Sequence, residues 1–261
     1  QGNDESCWFS TWILAYSRPL YRWIWEEAGS IVGATHNYLK PFIKPGITTK
    51  ELDKLAYDFI ISQDATPSFL NYEGFPATIC TSINDEVVHG IPSKRKLKNG
   101  DIISVDIGAC YKGYHGDSAW TYPVGTISKE KEELLKHTEQ SLFEGLSVIK
   151  EGAHIGDIGN AIATYAKKYK LGVVKELVGH GVGEVVHEDP DVPNYGTPGK
   201  GPILKAGMTI AVEPMLNLGT PNIYILDDDW TIITADGKPS AHFEHTVVVE
   251  KDGYTILTKR W

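Results

Sequence analysis

Lys98-Asn99-Gly100-Asp101-Ile102-Ile103-Ser104-Val105-Asp106 returns later in the chain as Lys205-Ala206-Gly207-Met208-Thr209-Ile210-Ala211-Val212-Glu213. Both copies close an apolar, strand-like run with a carboxylate. A second phrase, Lys44-Pro45-Gly46 with Glu51-Leu52, returns as Lys150-Glu151-Gly152 with Asp157-Ile158, and the two offsets, 106 and 107 residues, agree closely. So long a period is not that of a solenoid, whose units run roughly 20 to 50 residues. It predicts two related halves facing each other across a pseudo-two-fold axis, with equivalent acids meeting near that axis. Like charges brought together raise each other's pKa, so such a pair needs a shared proton or a cation between its members.

Around these phrases each half reads as helices followed by strands. Ile31, Val32, Ala34, Tyr38, Leu39 and Phe42 recur at helical spacing over 26–43, and Pro45-Gly46 ends the run. Thr48 and Glu51 form a capping-box pattern for a second helix reaching about Gln63. Short β-like runs follow at 78–83, 102–111 and 119–124. Ser128 caps a helix to about Lys150, the repeat supplies another over 156–170, and strands are predicted again at 209–216, 224–226 and 245–250. The fold class expected is α+β, a curved antiparallel sheet covered by helices on one face.

The bulk properties fit a globular protein and narrow its partners. At 261 residues, 41% hydrophobic and 23% charged, the chain holds one sizeable core. A formal net charge of −9 argues against nucleic acid as the main partner. Cys7, Cys80 and Cys110 contain no C-x-x-C pair, which speaks against a disulfide framework or a cysteine zinc site and for a reducing cytoplasm. The apolar run 7–16 is too short to span a bilayer and follows Asp4 and Glu5, so no targeting segment is read there. Four of the seven tryptophans, Trp8, Trp12, Trp23 and Trp25, crowd the first 25 residues and would form an exposed apolar patch unless they pack on the body or a partner. The expected division is an N-terminal extension, 1–25, and a catalytic domain, 26–261.

Candidate chemistry clusters on a few acids and histidines. If Tyr111-Lys112 centre a hairpin, Asp106 and Asp117 stand directly opposite each other on one face, a spacing suited to metal ions. Glu213, the repeat mate of Asp106, is expected to arrive at the same place from the other half. His180 lies in Gly179-His180-Gly181-Val182-Gly183, whose glycines leave the backbone open to a ligand. If Gly183-Glu184 make the turn, His187 faces His180 across it, one for metal and one for a substrate carbonyl. His89 sits alone in Val88-His89-Gly90-Ile91-Pro92, and Glu244 interrupts an apolar strand in His242-Phe243-Glu244-His245-Thr246, where a buried acid wants a cation or a proton.

Taken together, Val87-Val88-His89-Gly90-Ile91-Pro92, Val105-Asp106-Ile107-Gly108, Gly116-Asp117-Ser118-Ala119, Gly179-His180-Gly181-Val182-Gly183, Glu213-Pro214-Met215 and Phe243-Glu244-His245-Thr246 resemble the signature set of type I methionine aminopeptidases, from about Glu27 to Leu257. The resemblance implies the duplicated pita-bread fold of peptidase family M24. It implies Asp106, Asp117, His180, Glu213 and Glu244 as ligands of two divalent ions, with Asp117 and Glu244 bridging. Oxygen-rich with one imidazole, such a set suits Mn²⁺, Fe²⁺, Co²⁺ or Zn²⁺. It further implies attack of an activated water on the first peptide bond, with Glu213 as proton acceptor, His187 at the oxyanion, His89 at the scissile amide or leaving nitrogen, and one ion on the free α-amine.

Tyr72, Phe75, Cys80 and Trp230 match positions lining the methionine side-chain pocket, alongside His89 and His187. Two residues depart from the family pattern: Val186 stands where many relatives carry Phe, and His242 where Gln is frequent. The substrates implied are N-termini of nascent polypeptides near the ribosome, acted on by a cytoplasmic monomer that binds neither nucleic acid nor membrane. The nearest rival within the fold, a proline dipeptidase or aminopeptidase P, usually carries a large additional N-terminal domain.

Overall fold

The computed structural model describes residues 19–260, so Cys7, Trp8, Trp12 and the rest of the apolar run over 7–16 lie outside the described residues. Helix α1, Pro19–Leu39, crosses position 25 without a break and ends in a 3₁₀ turn, Lys40–Phe42. Its two tryptophans differ in fate. Trp25 is fully buried against Tyr114, with ring centroids 4.7 Å apart, whereas Trp23 stays 44% exposed, edge-on to Tyr111. Helix α2, Thr49–Ser62, starts from the expected capping box.

The strands of the first half are β1 (Thr66–Pro67), β2 (Ile79–Ile83), β3 (Glu86–Val88), β4 (Ile102–Tyr111) and β5 (Tyr114–Pro123). The second half repeats the order with α3 (Lys129–Leu146) and α4 (Ile155–Lys168), then β6 (Gly172–Val173), β7 (Gly179–Gly181), β8 (Glu188–Val192), β9 (Thr209–Val212) and β10 (Met215–Asn217). It closes with β11 (Ile223–Ile225), β12 (Ile232–Thr234), β13 (Ser240–His242), β14 (His245–Val249) and β15 (Tyr254–Ile256). Strand β4 pairs with β1, β2 and β5, while the second half builds the sheet β15-β14-β9-β7-β8. Of two small sheets, β13-β10-β6 lies within the second half, while β11-β12-β3 stitches the halves together, since β3 belongs to the first and β11 and β12 to the second.

The duplication is visible in matching backbone detail. Gly46 at φ 100° and Gly152 at φ 85° each donate an N–H over 2.8 Å, to Leu97 O and Leu204 O respectively. Thr48 N–H donates to Glu51 Oε2 and His154 N–H to Asp157 Oδ2, both at 2.8 Å, so the helix starts are equivalent too. One apolar core runs through both halves, with Ile103, Val105 and Ile107 of β4 in the same cluster as Ile210, Val212 and Val247. Helix α1 lies across β4 and β5, and α3 packs on α4 and against β13. The crossing of α1 is close: a Cβ on Gly116 would lie 2.9 Å from Gly29 Cα, so only glycine lets the helix backbone ride on β5 there.

Two expectations need correction. The β4–β5 turn is Lys112-Gly113, not Tyr111-Lys112, with φ 49° and 86°; positive φ at both central residues suits the twist of a two-residue hairpin. Asp106 therefore pairs with Ala119 and Asp117 with Gly108. The acids are diagonal neighbours, still on one face because the shift is an even number of positions. The single strand expected over 209–216 is two, because Pro214 has no N–H for the ladder. Strands β9 and β10 join different sheets, and so do their partners: β9 pairs with β14 and β10 with β13.

Candidate metal centre

The two strand breaks lie side by side. Val212 pairs with His245 before the gap and Met215 with His242 after it, leaving Glu213-Pro214 and Phe243-Glu244 facing each other where the ladder opens. An acid from each break thus reaches the interior without displacing a ladder bond. The first half contributes through β5: Glu244 N–H donates to Ala119 O at 2.8 Å, Ser118 Oγ donates to Glu244 O at 2.6 Å, and Thr246 Oγ donates to Asp117 O at 2.7 Å. These bonds hold Asp117 beside Glu244, and β4 adds Asp106 next to Asp117. His180, in β7, donates through Nδ1 to Gly181 O at 2.9 Å, which leaves its Nε2 lone pair free and pointed inward.

The five expected ligands converge. His180 Nε2 lies 3.5 Å from Glu213 Oε1 and 3.8 Å from Asp117 Oδ2. Asp106, Asp117 and Glu244 form one group, and His180, Glu213 and Glu244 another, with donor atoms in each within 4.8 Å of one another. Asp117 and Glu244 are each 2% exposed, and Asp106 Oδ1, Asp117 Oδ1 and Glu244 Oε1 are buried with no hydrogen-bond partner. Orphaned carboxylate oxygens of this kind are costly unless a cation takes them up. Burial first, and then the neighbouring carboxylates, push Asp117 and Glu244 well above the usual range. Burial likewise raises Asp106 and Glu213. Burial holds His180 down at about 3, so its imidazole is neutral and able to ligate. The donor set fits divalent cations by both chemistry and need.

His187 arrives differently from expectation. Gly181 pairs with Glu188, and Gly183 N–H bonds Val185 O at 3.0 Å, so 182–187 is a loop that carries His187 rather than a two-residue hairpin. The rings of His180 and His187 nevertheless meet edge to face at 4.2 Å. His89 follows β3 at φ 58°, held near 4 by burial and then by His242 and His187.

Beside the acids opens a cavity of about 180 Å³. Tyr72, Phe75, Cys80 and Trp230 line it, with Phe75 and Trp230 edge to face at 5.1 Å and Tyr72 5.3 Å from the His187 ring. Val186 is buried in the cluster behind this wall, with Phe75 and Cys80. The sequence reading missed Phe69, Leu177 and Met215, which also line the cavity, and Asn194, whose Nδ2 donates to Glu213 O at 3.0 Å. Met215 and Leu177 stand within three residues of ligands, a proximity that would have flagged them; Phe69 and Asn194 carry no such signal.

Known proteins resemble this chain in sequence and fold. The profile of metallopeptidase family M24 matches residues 24–251. Methionine aminopeptidase 1 of Bacillus subtilis is 56% identical over 236 residues, 90% of this chain and 95% of its own length. The crystal structure of methionine aminopeptidase from Thermotoga maritima superposes with a TM-score of 0.91 at 40% identity, covering 93% of this chain and 98% of that one. A prolidase from Pyrococcus furiosus shares the fold alone, at 22% identity and a TM-score of 0.74, covering 94% of this chain and 65% of its own.

Proposed function

Because the chain belongs to the methionine aminopeptidases of metallopeptidase family M24, we propose that it removes the N-terminal methionine of nascent polypeptides in the cytoplasm, as a monomer using two divalent ions. The observation that carries this reading is the convergence of Asp106, Asp117, His180, Glu213 and Glu244 beside an apolar cavity. Asp106 and Asp117 come from the first half, His180 and the two strand-break acids from the second, and two of the overlapping groups they form share Glu244, which supports two ions. Mn²⁺, Fe²⁺, Co²⁺ and Zn²⁺ all suit four carboxylates and an imidazole.

When bound, such ions lower the pKa of a water to near neutrality and offset the negative charge that develops on the attacked carbonyl. The chain's own residues do the rest. Tyr72, Phe75, Cys80 and Trp230 enclose the thioether side chain, where aromatic faces and sulfur make favourable contacts. The acid cluster favours a substrate end bearing a free amino group, which restricts cleavage to the first peptide bond. Glu213, with one oxygen beside His180 and the other beside His242, accepts the proton of the attacking water. His187 serves the carbonyl oxygen and His89 the leaving nitrogen, and both line the cavity. Free, unpaired Cys80 and Cys110 support the cytoplasmic setting.

The test is mass spectrometry of a panel of Met-initiated peptides after chelation and re-addition of each metal. Loss of one methionine from Met-Gly-Met-Met, restored by Mn²⁺ or Co²⁺, is expected. Cleavage of Gly-Pro or X-Pro peptides instead, or of nothing with any of the four metals, overturns the reading.

A further inference from the structure

Beside His180 and His187, His242 is a further imidazole pressed against the acid cluster. It ends β13, immediately before the break that carries Glu244, and is 2% exposed. Its backbone is clamped on both sides by one hydroxyl: His242 N–H donates to Thr121 Oγ at 2.9 Å, and that hydroxyl donates to His242 O at 2.8 Å. Thr121 in turn lies 2.8 Å from Ser104 Oγ, so the anchor is rooted in β4 and β5. The ring direction is therefore set by the first half while the residue itself belongs to the second.

From this anchor Nε2 points between the two strand breaks, 3.3 Å from Glu213 Oε2 and 3.9 Å from Glu244 Oε2. It is buried and makes no well-aligned hydrogen bond. Leaving such an atom unused is costly, and the nearest acceptor is the Glu213 oxygen turned away from His180. The two oxygens of Glu213 thus face two imidazoles, His180 on Oε1 and His242 on Oε2. A ligating carboxylate is commonly fixed by a donor on its outer oxygen, and loss of such a donor costs about 10- to 100-fold in metal affinity. An apo-like geometry slightly long for a hydrogen bond tightens when the site is filled.

We propose that His242 is a positioning residue of the metal centre, whose Nε2–H holds Glu213 Oε2 so that Oε1 is presented beside His180, and which keeps the Glu213 and Glu244 carboxylates apart. This rests on the metal-dependent reading of the site. It also accounts for the departure at this position, since both a Gln amide and an imidazole can donate to a carboxylate, whereas an apolar side chain cannot.

The experiment compares wild type, His242→Gln and His242→Leu by competition for Zn²⁺ and Mn²⁺ against a chromophoric chelator, with circular dichroism of the metal-free proteins to establish that each is folded. X-ray absorption of the Zn²⁺-loaded forms counts imidazole ligands. The inference expects H242L to bind about 10- to 100-fold more weakly, H242Q to recover to within a few-fold of wild type, and the imidazole count to be the same in wild type and H242Q. Equal affinity in wild type and H242L overturns it while leaving the peptidase reading intact. So does an H242Q variant as weak as H242L with one imidazole fewer, which would make His242 a ligand. Failure of wild type to retain any metal defeats both readings together.

Discussion

His89 holds a left-handed backbone at φ 58°, a conformation that costs a residue bearing a Cβ roughly 1 to 2 kcal/mol. The next residue explains how it persists. Gly90 is clamped to β2, with Thr81 N–H donating to Gly90 O at 2.8 Å and Gly90 N–H donating to Ser82 Oγ at 3.1 Å, and a Cβ on Gly90 would run into Thr81 O. Strain of this kind collects where a side chain must be aimed. Replacing His89 by Ala and by Gly removes the same imidazole contacts, so these cancel in the comparison. What differs is the backbone: Gly escapes the left-handed penalty but loses about 0.5 to 1 kcal/mol through its freer unfolded chain. His89→Gly is therefore expected to be as stable as His89→Ala or up to about 1.5 kcal/mol more stable, the reverse of the usual ranking. Urea denaturation of the chelator-treated proteins measures this difference. Both variants should retain the metal content of wild type and lose turnover on Met-Gly-Met-Met by about 10²- to 10³-fold, the scale of a lost transition-state donor. A His89→Gly protein clearly less stable than His89→Ala would refute the strain argument, and wild-type turnover in either would refute the role of the imidazole.

Two further outcomes follow from contacts away from the pocket. His36 is fully enclosed, bonded to Ser118 O at 2.9 Å and Tyr122 OH at 3.0 Å, and burial, then Arg260, hold it near 3. Its unfolded form takes a proton below about 6.5. The folded form does not until about pH 3, so stability is complete above pH 6.5 and falls by roughly 1.4 kcal/mol per unit of pH on acidification through that window. The slopes of stability against pH between pH 4 and 7 should differ between wild type and His36→Gln by about one proton's worth; equal slopes would contradict it. Gly116→Ala drives a methyl into the α1 backbone 2.9 Å away, next to Asp117, and should cost about 1 to 3 kcal/mol and weaken Zn²⁺ retention. Unchanged stability and unchanged chelator competition would show that α1 yields without strain.

Much of the fold was legible because the repeat ties helix starts, turn glycines and strand-end acids into one pattern. Ile102–Tyr111 was expected over the same residues that form β4, and Thr48 caps α2 as its capping box predicts. The hairpin register was two positions off because strand periodicity constrains which face a residue takes, while the turn alone fixes its partner. The same limit hid the His187 loop, where three glycines allow many paths. The ligand acids were legible by type and by repeat, yet their placement at paired strand breaks depends on which distant strands meet, information that Pro214 only hints at. Trp23 and Trp25 show the limit of composition: two positions apart on one helix, they point to opposite environments, and only the helix phase against β5 decides which is buried.

The spacing of the ligands along the chain governs when the centre can exist during synthesis. Asp106 and Asp117 emerge early, His180 and Glu213 much later, and Glu244 last of the five. A chain still lacking its last stretch has neither the second strand break nor the anchoring of Ser118 and Thr246 across it. Cation capture is thus expected only once the segment carrying Glu244 has joined β5, which makes loading a late event in assembly instead of a seed for it.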